Sequence, residues 1–162
     1  VSLTNDLKAI HTSITYKILD LFMNNKDRDY VSETLDAHKR YEAVQEKQQK
    51  ERESKRIPNT SHSLQISAYT GRYIDKMYGN AEIIEKDGDL ILGLLPSKEL
   101  YTGKLEHFHY DTFKVTFNDP FLPFGLITFH FNSNGEIHNF TIDLPNQVGL
   151  NFNNLNFEKA KR

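Results

Sequence analysis

Apolar residues recur at spacings of three and four near the start of the chain: Leu7, Ile10, Ile14, Ile18, Leu21 and Phe22. That spacing places them on one face of a helix over Leu3–Phe22, with Thr4 or Asn5 to cap its start. Asn24-Asn25-Lys26-Asp27 reads as its break. A second helix is expected from about Asp29 to Arg56. Its first half carries an apolar stripe of Val31, Leu35, Tyr41 and Val44. From Gln45 to Arg56 nearly every residue is charged or an amide, which describes a solvated helix or linker. The apolar a and d positions of a coiled coil are missing there. Pro58 cannot continue a helix, so Ile57-Pro58-Asn59-Thr60-Ser61 ends it.

Beyond residue 62 the period switches to two. Phe113, Val115 and Phe117 alternate with Lys114, Thr116 and Asn118. Ile127, Phe129 and Phe131 alternate with Thr128, His130 and Asn132, and Phe140, Ile142 and Leu144 alternate with Thr141 and Asp143. Strands with one buried face read this way. Turn signals punctuate them at Met77-Tyr78-Gly79, Asp87-Gly88, Asn118-Asp119-Pro120 and Asn134-Gly135. About eight strands follow, near 71–75, 80–85, 89–94, 100–107, 112–118, 125–132, 136–144 and 154–158. Short hairpin links argue for an antiparallel meander. The expected fold class is mainly β with an N-terminal helical arm (α+β). It consists of two helices, then an up-and-down barrel of the lipocalin type, with a two-sheet sandwich as the alternative. The domains divide as a helical arm and linker over 1–62 and a barrel over 63–162.

Composition sharpens the division. All the Phe but Phe22, all the Gly and all the Pro but Pro58 lie beyond residue 62. A net charge of −2 argues against nucleic acid or a polybasic membrane contact, since phosphate binding needs a positive field. Apolar runs such as Leu90–Leu95 are too short to span a bilayer. There is no Cys, which excludes disulfides, zinc–thiolate sites and Cys nucleophiles. Val1 stands where an initiating Met would, and no secretory signal is present, as expected of a processed product or a cloned fragment.

The run Leu105-Glu106-His107-Phe108-His109-Tyr110-Asp111-Thr112-Phe113 carries the densest candidate chemistry. On a regular strand His107 and His109 point to the same face and form a metal-ligand pair, which His130 and His138 could extend from neighbouring strands. Two ligands make a weak site, so the expectation is no metal and a structural role in holding the Tyr110-Asp111-Thr112 turn. Phe108, Tyr110, Phe113, Phe117, Phe129, Phe131 and Phe140 fill a barrel core or line a cavity; a filled core is the stronger expectation. Were a pocket present, Tyr73, Tyr101, His107, His109 and Tyr110 are the expected ligand contacts, because their polar atoms need partners. Phe121-Leu122-Pro123-Phe124 is an apolar loop that either folds over a barrel end or docks on another surface.

In order and spacing, five segments carry a family pattern: Ser67-Ala68-Tyr69-Thr70-Gly71-Arg72-Tyr73 with Tyr78-Gly79; Asp87-Gly88-Asp89-Leu90-Ile91-Leu92; the His107–Phe113 run; Ile127-Thr128-Phe129-His130-Phe131 before Asn134-Gly135; and Phe152 with Leu155-Asn156-Phe157-Glu158-Lys159. Over about residues 64–159 the chain resembles the C-terminal, lipocalin-like domain of unknown function appended to bacterial and archaeal serine hydrolases. Those hydrolases are related to class C β-lactamases and D-alanyl-D-alanine carboxypeptidases, the penicillin-recognising serine peptidases. Phe108 stands where that family often has Trp. The segment Ile14–Phe22 resembles the last helix of such a hydrolase domain, and residues 29–56 its charged bridging helix.

The resemblance implies a catalytic serine hydrolase domain as partner, a homo-oligomer as a further partner, no cofactor, and a periplasmic or extracellular location. It implies no catalytic residue here. The hydrolases use Ser-x-x-Lys, with the lysine one helical turn from the serine whose proton it takes, and no Ser in this chain has Lys three residues later. Tyr78-Gly79-Asn80 matches Tyr-x-Asn only formally, as a turn into a strand, and Tyr69-Thr70-Gly71 and Tyr101-Thr102-Gly103 lack the cation of Lys-Thr-Gly. The expected function is a non-catalytic accessory domain that modulates substrate access or oligomerisation. The alternatives are a stand-alone lipocalin-like carrier of an apolar or peptidic ligand and, resting on the histidines alone, a metal-dependent enzyme.

Overall fold

In the computed structural model of the chain, which describes residues 10–25, 28–119, 122–145 and 155–160, the two periodicities fold as separate units, Val1–Lys55 and Arg56–Arg162. The first is a helical pair, α1 (Ile10–Phe22) and α2 (Tyr30–Ser54). The expected cap at Thr4 or Asn5 and the apolar residues before Ile10 lie outside the described residues. Asn24 ends α1 by entering the left-handed region at φ 56°, while the Asn25 N–H donates to the Asp20 carbonyl at 2.7 Å. Asp29 caps α2: its carboxylate accepts the N–H groups of Val31 and Ser32 at 3.2 and 3.1 Å. Along the charged half of α2, Lys50 pairs with Glu46 at 2.6 Å, one helical turn away.

The face that α1 turns to α2 is polar. Ser13 and Asp20 are its buried residues, Ser13 shares a hydroxyl–hydroxyl hydrogen bond with Thr34, and the rings of Tyr16 and Tyr30 meet at 5.7 Å. Its apolar residues face water instead: Ile14 is 41% exposed, Ile18 48%, Leu21 53% and Phe22 86%. Among the described residues of the unit, α1 is thus amphipathic with its apolar side unpaired.

The second unit is a closed eight-stranded antiparallel barrel in which each strand pairs with the next and β8 closes on β1. Its strands are β1 (Gly71–Asp75), β2 (Gly79–Lys86), β3 (Asp89–Leu94), β4 (Thr102–His109), β5 (Thr112–Phe117), β6 (Gly125–Phe131), β7 (Ile137–Asp143) and β8 (Leu155–Lys159). Asp87 and Gly88 link β2 to β3 with φ of 54° and 84°, the primed hairpin turn whose twist matches that of the strands. Two short 3-10 helices, Ile66–Tyr69 and Leu95–Ser97, interrupt the loops where period-two reading gives no signal.

The alternating apolar residues all point inward. Tyr73, Ala81, Ile83, Leu90, Leu92, Leu105, Phe113, Val115, Ile127, Phe129, Phe140, Ile142, Leu155 and Phe157 are buried in one cluster. Tyr73 lies 4.7 Å from Phe140, Phe140 stacks on Phe157 at 5.0 Å, and Phe113 meets Phe129 edge-on at 5.6 Å. Rings therefore fill the interior, each contributing about 1.5–3 kcal/mol through burial. Of the expected apolar loop, Phe121 lies outside the described residues; Leu122 packs against the core, and the Phe124 ring lies 4.4 Å from the Lys114 ammonium. Among the described residues no helix is long and apolar enough to cross a membrane.

Candidate functional site at the turn between the fourth and fifth strands

The register between β4 and β5 breaks inside the histidine run. His107 pairs with Phe113, but His109 pairs with Thr112, so Phe108 is an extra residue in a β-bulge. Directly opposed residues share a face, which puts His107 on the interior side with Phe113 and His109 on the outer side with Thr112. The same-face expectation for the two imidazoles is corrected by this one inserted residue. The His107 ring meets Phe113 at 5.8 Å, whereas the His109 ring packs on Phe108 at 4.9 Å. Among the described residues, no group of three or more His, Asp or Glu is placed to hold a metal ion.

Beyond the bulge, Tyr110 sits at φ 44°, rare for a residue with a side chain. Its carbonyl accepts from His107 Nε2 at 2.9 Å and its N–H donates to Thr60 Oγ1 at 3.2 Å. The second bond draws in the segment before β1, and that segment is tied along its length. Arg56 Nε donates to the Phe108 carbonyl at 3.0 Å, and the Ile57 N–H donates to His109 Nδ1 at 3.4 Å. Residues 56–64 form a strap over this end of the barrel, and the β4–β5 turn is its anchor.

Asp111 is the centre of the anchor. Its Oδ1 accepts the Ser63 N–H at 2.9 Å and the Tyr69 hydroxyl at 2.5 Å, and its Oδ2 accepts the Ser63 hydroxyl at 2.6 Å. Burial on its own would raise this carboxyl. The hydrogen bonds from Ser63 and Tyr69, with His62 close by, outweigh burial and hold it below the usual carboxylate range. Burial, and then the bond to Asp111, pushes the Tyr69 phenol well above the usual tyrosine range. Tyr69 also accepts the Leu64 N–H at 3.2 Å, so one hydroxyl joins the strap to the turn. The His62 ring closes the cluster, 6.0 Å from Tyr69 and 5.8 Å from His107.

Ser63, His62 and Asp111 do not form a nucleophilic relay. A relay needs an imidazole that accepts the serine proton. Here the Ser63 hydroxyl donates directly to Asp111, and His62 Nδ1 donates to the Leu64 carbonyl at 2.5 Å. The arrangement holds backbone in place.

A family model described as Domain of unknown function (DUF3471) matches residues 55–159. The chain belongs to the DUF3471 family. Among solved structures, one of the C-terminal domain of penicillin binding protein Rv0907 is similar at 24% identity and a TM-score of 0.48, covering 65% of this chain and 95% of that one. No curated protein matches the chain. The DUF3471 match begins nine residues before the resemblance noted over 64–159, and so takes in the whole strap.

Of the five expected contact residues, the DUF3471 fold gathers His107, His109 and Tyr110 at the β4–β5 turn. Tyr101 lies at the opposite end of β4, its ring 5.6 Å from Phe117. Tyr73 is fully buried in the barrel, its hydroxyl donating to the Tyr69 carbonyl at 2.8 Å. An open groove of about 1680 Å³ runs over the outer face of β1, β7 and β8, lined among others by Arg72, Ile74, Met77, His138 and Glu158. It includes none of the five. The residues that sequence reading missed are Arg56, Thr60, His62 and Ser63. Their only local signal is a polar segment around Pro58, and their role depends on a turn about fifty residues away, as for Ser63 and Asp111, which are 48 apart.

Proposed function

We propose that this chain is the non-catalytic accessory region of a serine hydrolase of the β-lactamase-related, penicillin-recognising kind, with the catalytic domain preceding α1. The observation that carries this reading is the exposed apolar face of α1, from Ile14 at 41% to Phe22 at 86%. An exposed apolar helix face needs a partner. The resemblance of Ile14–Phe22 to the last helix of such a hydrolase domain supplies one. Two further features support it. The polar groups at the β4–β5 turn are engaged in holding the strap, and rings fill the barrel, which leaves a carrier of apolar ligands little interior to use.

In this role the barrel restricts access to the neighbouring active site or builds an oligomer around it, in the periplasm or outside the cell. The test is to delete residues 63–162 from the full-length protein and compare hydrolysis of small and large ester or peptide substrates, with the oligomeric state measured alongside. Retained turnover of small substrates, with a changed size preference or oligomeric state, supports the reading. Loss of all serine reactivity in a protein that still folds contradicts it.

A further inference from the structure

We propose that the groove over the outer face of β1, β7 and β8 binds an extended polypeptide segment with apolar side chains at every second position. At about 1680 Å³ it exceeds the roughly 300–1,000 Å³ of a small-molecule pocket, and it is open to solvent. Its walls follow the chain from Thr70 through β1 to Met77. At about 3.3 Å per residue that run spans roughly 20 Å, room for about six residues of extended chain.

The groove lies where the strands part on either side of β8. Among the described residues, β8 pairs with β1 only through Tyr73 with Lys159 and Ile74 with Glu158. Four or more residue pairs join every other two neighbouring strands. Asp75 ends the short ladder: its carboxylate accepts the N–H groups of Met77 and Tyr78 at 2.7 and 2.8 Å and starts the turn into β2. On its other side β8 leaves β7 after Glu158, and the Ala160 N–H donates to the Arg72 carbonyl of β1 at 2.9 Å. Among the described residues, Ile137 and His138 of β7 therefore have no strand beside them there, and both line the groove. A strand edge of this kind pairs with an added strand. Lys159 fixes the floor. Its ammonium donates to the Ala68 carbonyl at 2.6 Å, and its stem passes so close to Gly71 that a Cβ there would lie 3.3 Å from Lys159 Cε.

The chemistry of the walls selects the occupant. Arg72, Lys76 and Lys159 are balanced by Asp75, Glu136 and Glu158, so the groove lacks the positive field that a polyanion requires. Sugar rings stack on aromatic rings, and among the described residues the walls carry none. They offer instead Ile74, 45% exposed, and Met77, 83% exposed, as apolar contacts. Beside these, Ser67, Ala68 and Gly71 are small enough for another backbone to approach closely. An extended chain turns alternate side chains to the same face, which sets the two-residue spacing of its apolar positions.

The test is a phage-displayed library of random peptides of about twelve residues, long enough to span the groove. It is selected on the whole chain and counter-selected on the Ile74→Thr, Met77→Ser variant. Enriched peptides should carry apolar residues two apart. One of them, synthesised and titrated into the isotope-labelled whole chain, should shift the amide signals of residues 72–77, 137–138 and 158–160. The double variant should bind it about tenfold more weakly, as for loss of an interface anchor. Its melting temperature should be unchanged, because both positions are exposed. Peptides that bind the variant as tightly, or no enrichment at all, overturn the proposal. So do the same shifts produced by N-acetylglucosamine oligomers in place of any peptide, which make the occupant a glycan, or by raised protein concentration alone, which makes it a second copy.

Discussion

Ser63 gives both its backbone N–H and its hydroxyl to one carboxylate, that of Asp111, at 2.9 and 2.6 Å. With the Tyr69 hydroxyl on the same group, three donors from the segment before β1 converge on the β4–β5 turn. The contact explains why a chain with serine, histidine and aspartate in one place is not set up for acyl transfer. The carboxylate accepts the serine proton's hydrogen bond itself, and it closes a loop of the fold.

Asp111→Ala leaves the Ser63 N–H and the Tyr69 hydroxyl without their acceptor. Urea denaturation should show a loss of about 2–3 kcal/mol, as for hydrogen bonds to a charged group. Tyr69→Phe should cost about 1–2 kcal/mol, and the double variant should cost less than the sum because the two groups share a bond. A strictly additive pair would place the Tyr69–Asp111 bond outside the folded protein.

The titration of the same groups sets the pH limits. Asp111 is lowered in the folded state. Its contribution is therefore present above the unfolded aspartate value of about 3.9 and is lost as pH falls below it. Tyr69 and Tyr73 are raised, chiefly by burial, so their contribution is present below about pH 10 and is lost as pH rises beyond it. Thermal melts across pH should show both limits. Asp111→Asn should flatten the acid limb and weaken the alkaline limb only in part, since burial of Tyr69 and Tyr73 remains.

How much of this was legible in the sequence depends on the distance over which each feature is fixed. The strands follow from local alternation, since Phe113, Val115 and Phe117 need only their own spacing to declare a buried face. The end of α1 at Asn24 and the cap at Asp29 are equally local. The bulge at Phe108 is not, because it is a property of two strands in register. With no view of Thr112 and Phe113 as partners, His107 and His109 could only be read as neighbours on one face. The strap was illegible for the same reason: Ser63 and Asp111 are ordinary polar residues until the barrel closes and brings them together. Tyr69 stood out within the Ser67–Tyr73 motif and Asp111 within the His107–Phe113 run, but nothing local marked them as partners.

Gly103 follows Tyr101-Thr102, a triplet that looks like a catalytic signature and is instead a packing requirement. A Cβ at Gly103 would lie 2.8 Å from the Thr116 carbonyl carbon and 2.9 Å from Phe117 Cα, both backbone atoms of β5. Backbone cannot swing away as a side chain can. Gly103→Ala should therefore destabilise the barrel by about 2–3 kcal/mol in urea denaturation, the range of overpacking in a tight core. A neutral result would mean that β4 and β5 are not in this register.

Ile14, Ile18 and Phe22 give a contrasting case. In this chain their side chains face water, so replacing all three with Ser should leave the barrel's melting temperature unchanged and lower binding of an apolar dye. On the proposed accessory role, the same three changes in the full-length protein should destabilise the hydrolase domain by several kcal/mol, as for lost core side chains of about 2–5 kcal/mol each. Equal behaviour of the two proteins would count against α1 as part of a hydrolase core.

The most direct measurement is covalent labelling of the full-length protein with a serine-reactive fluorophosphonate, followed by peptide mapping of the label. The expected result is a single labelled serine upstream of Val1, within Ser-x-x-Lys, and no label anywhere in residues 1–162. A label on Ser63 or any other serine of this chain, or a full-length protein that takes no label at all, would contradict the accessory role.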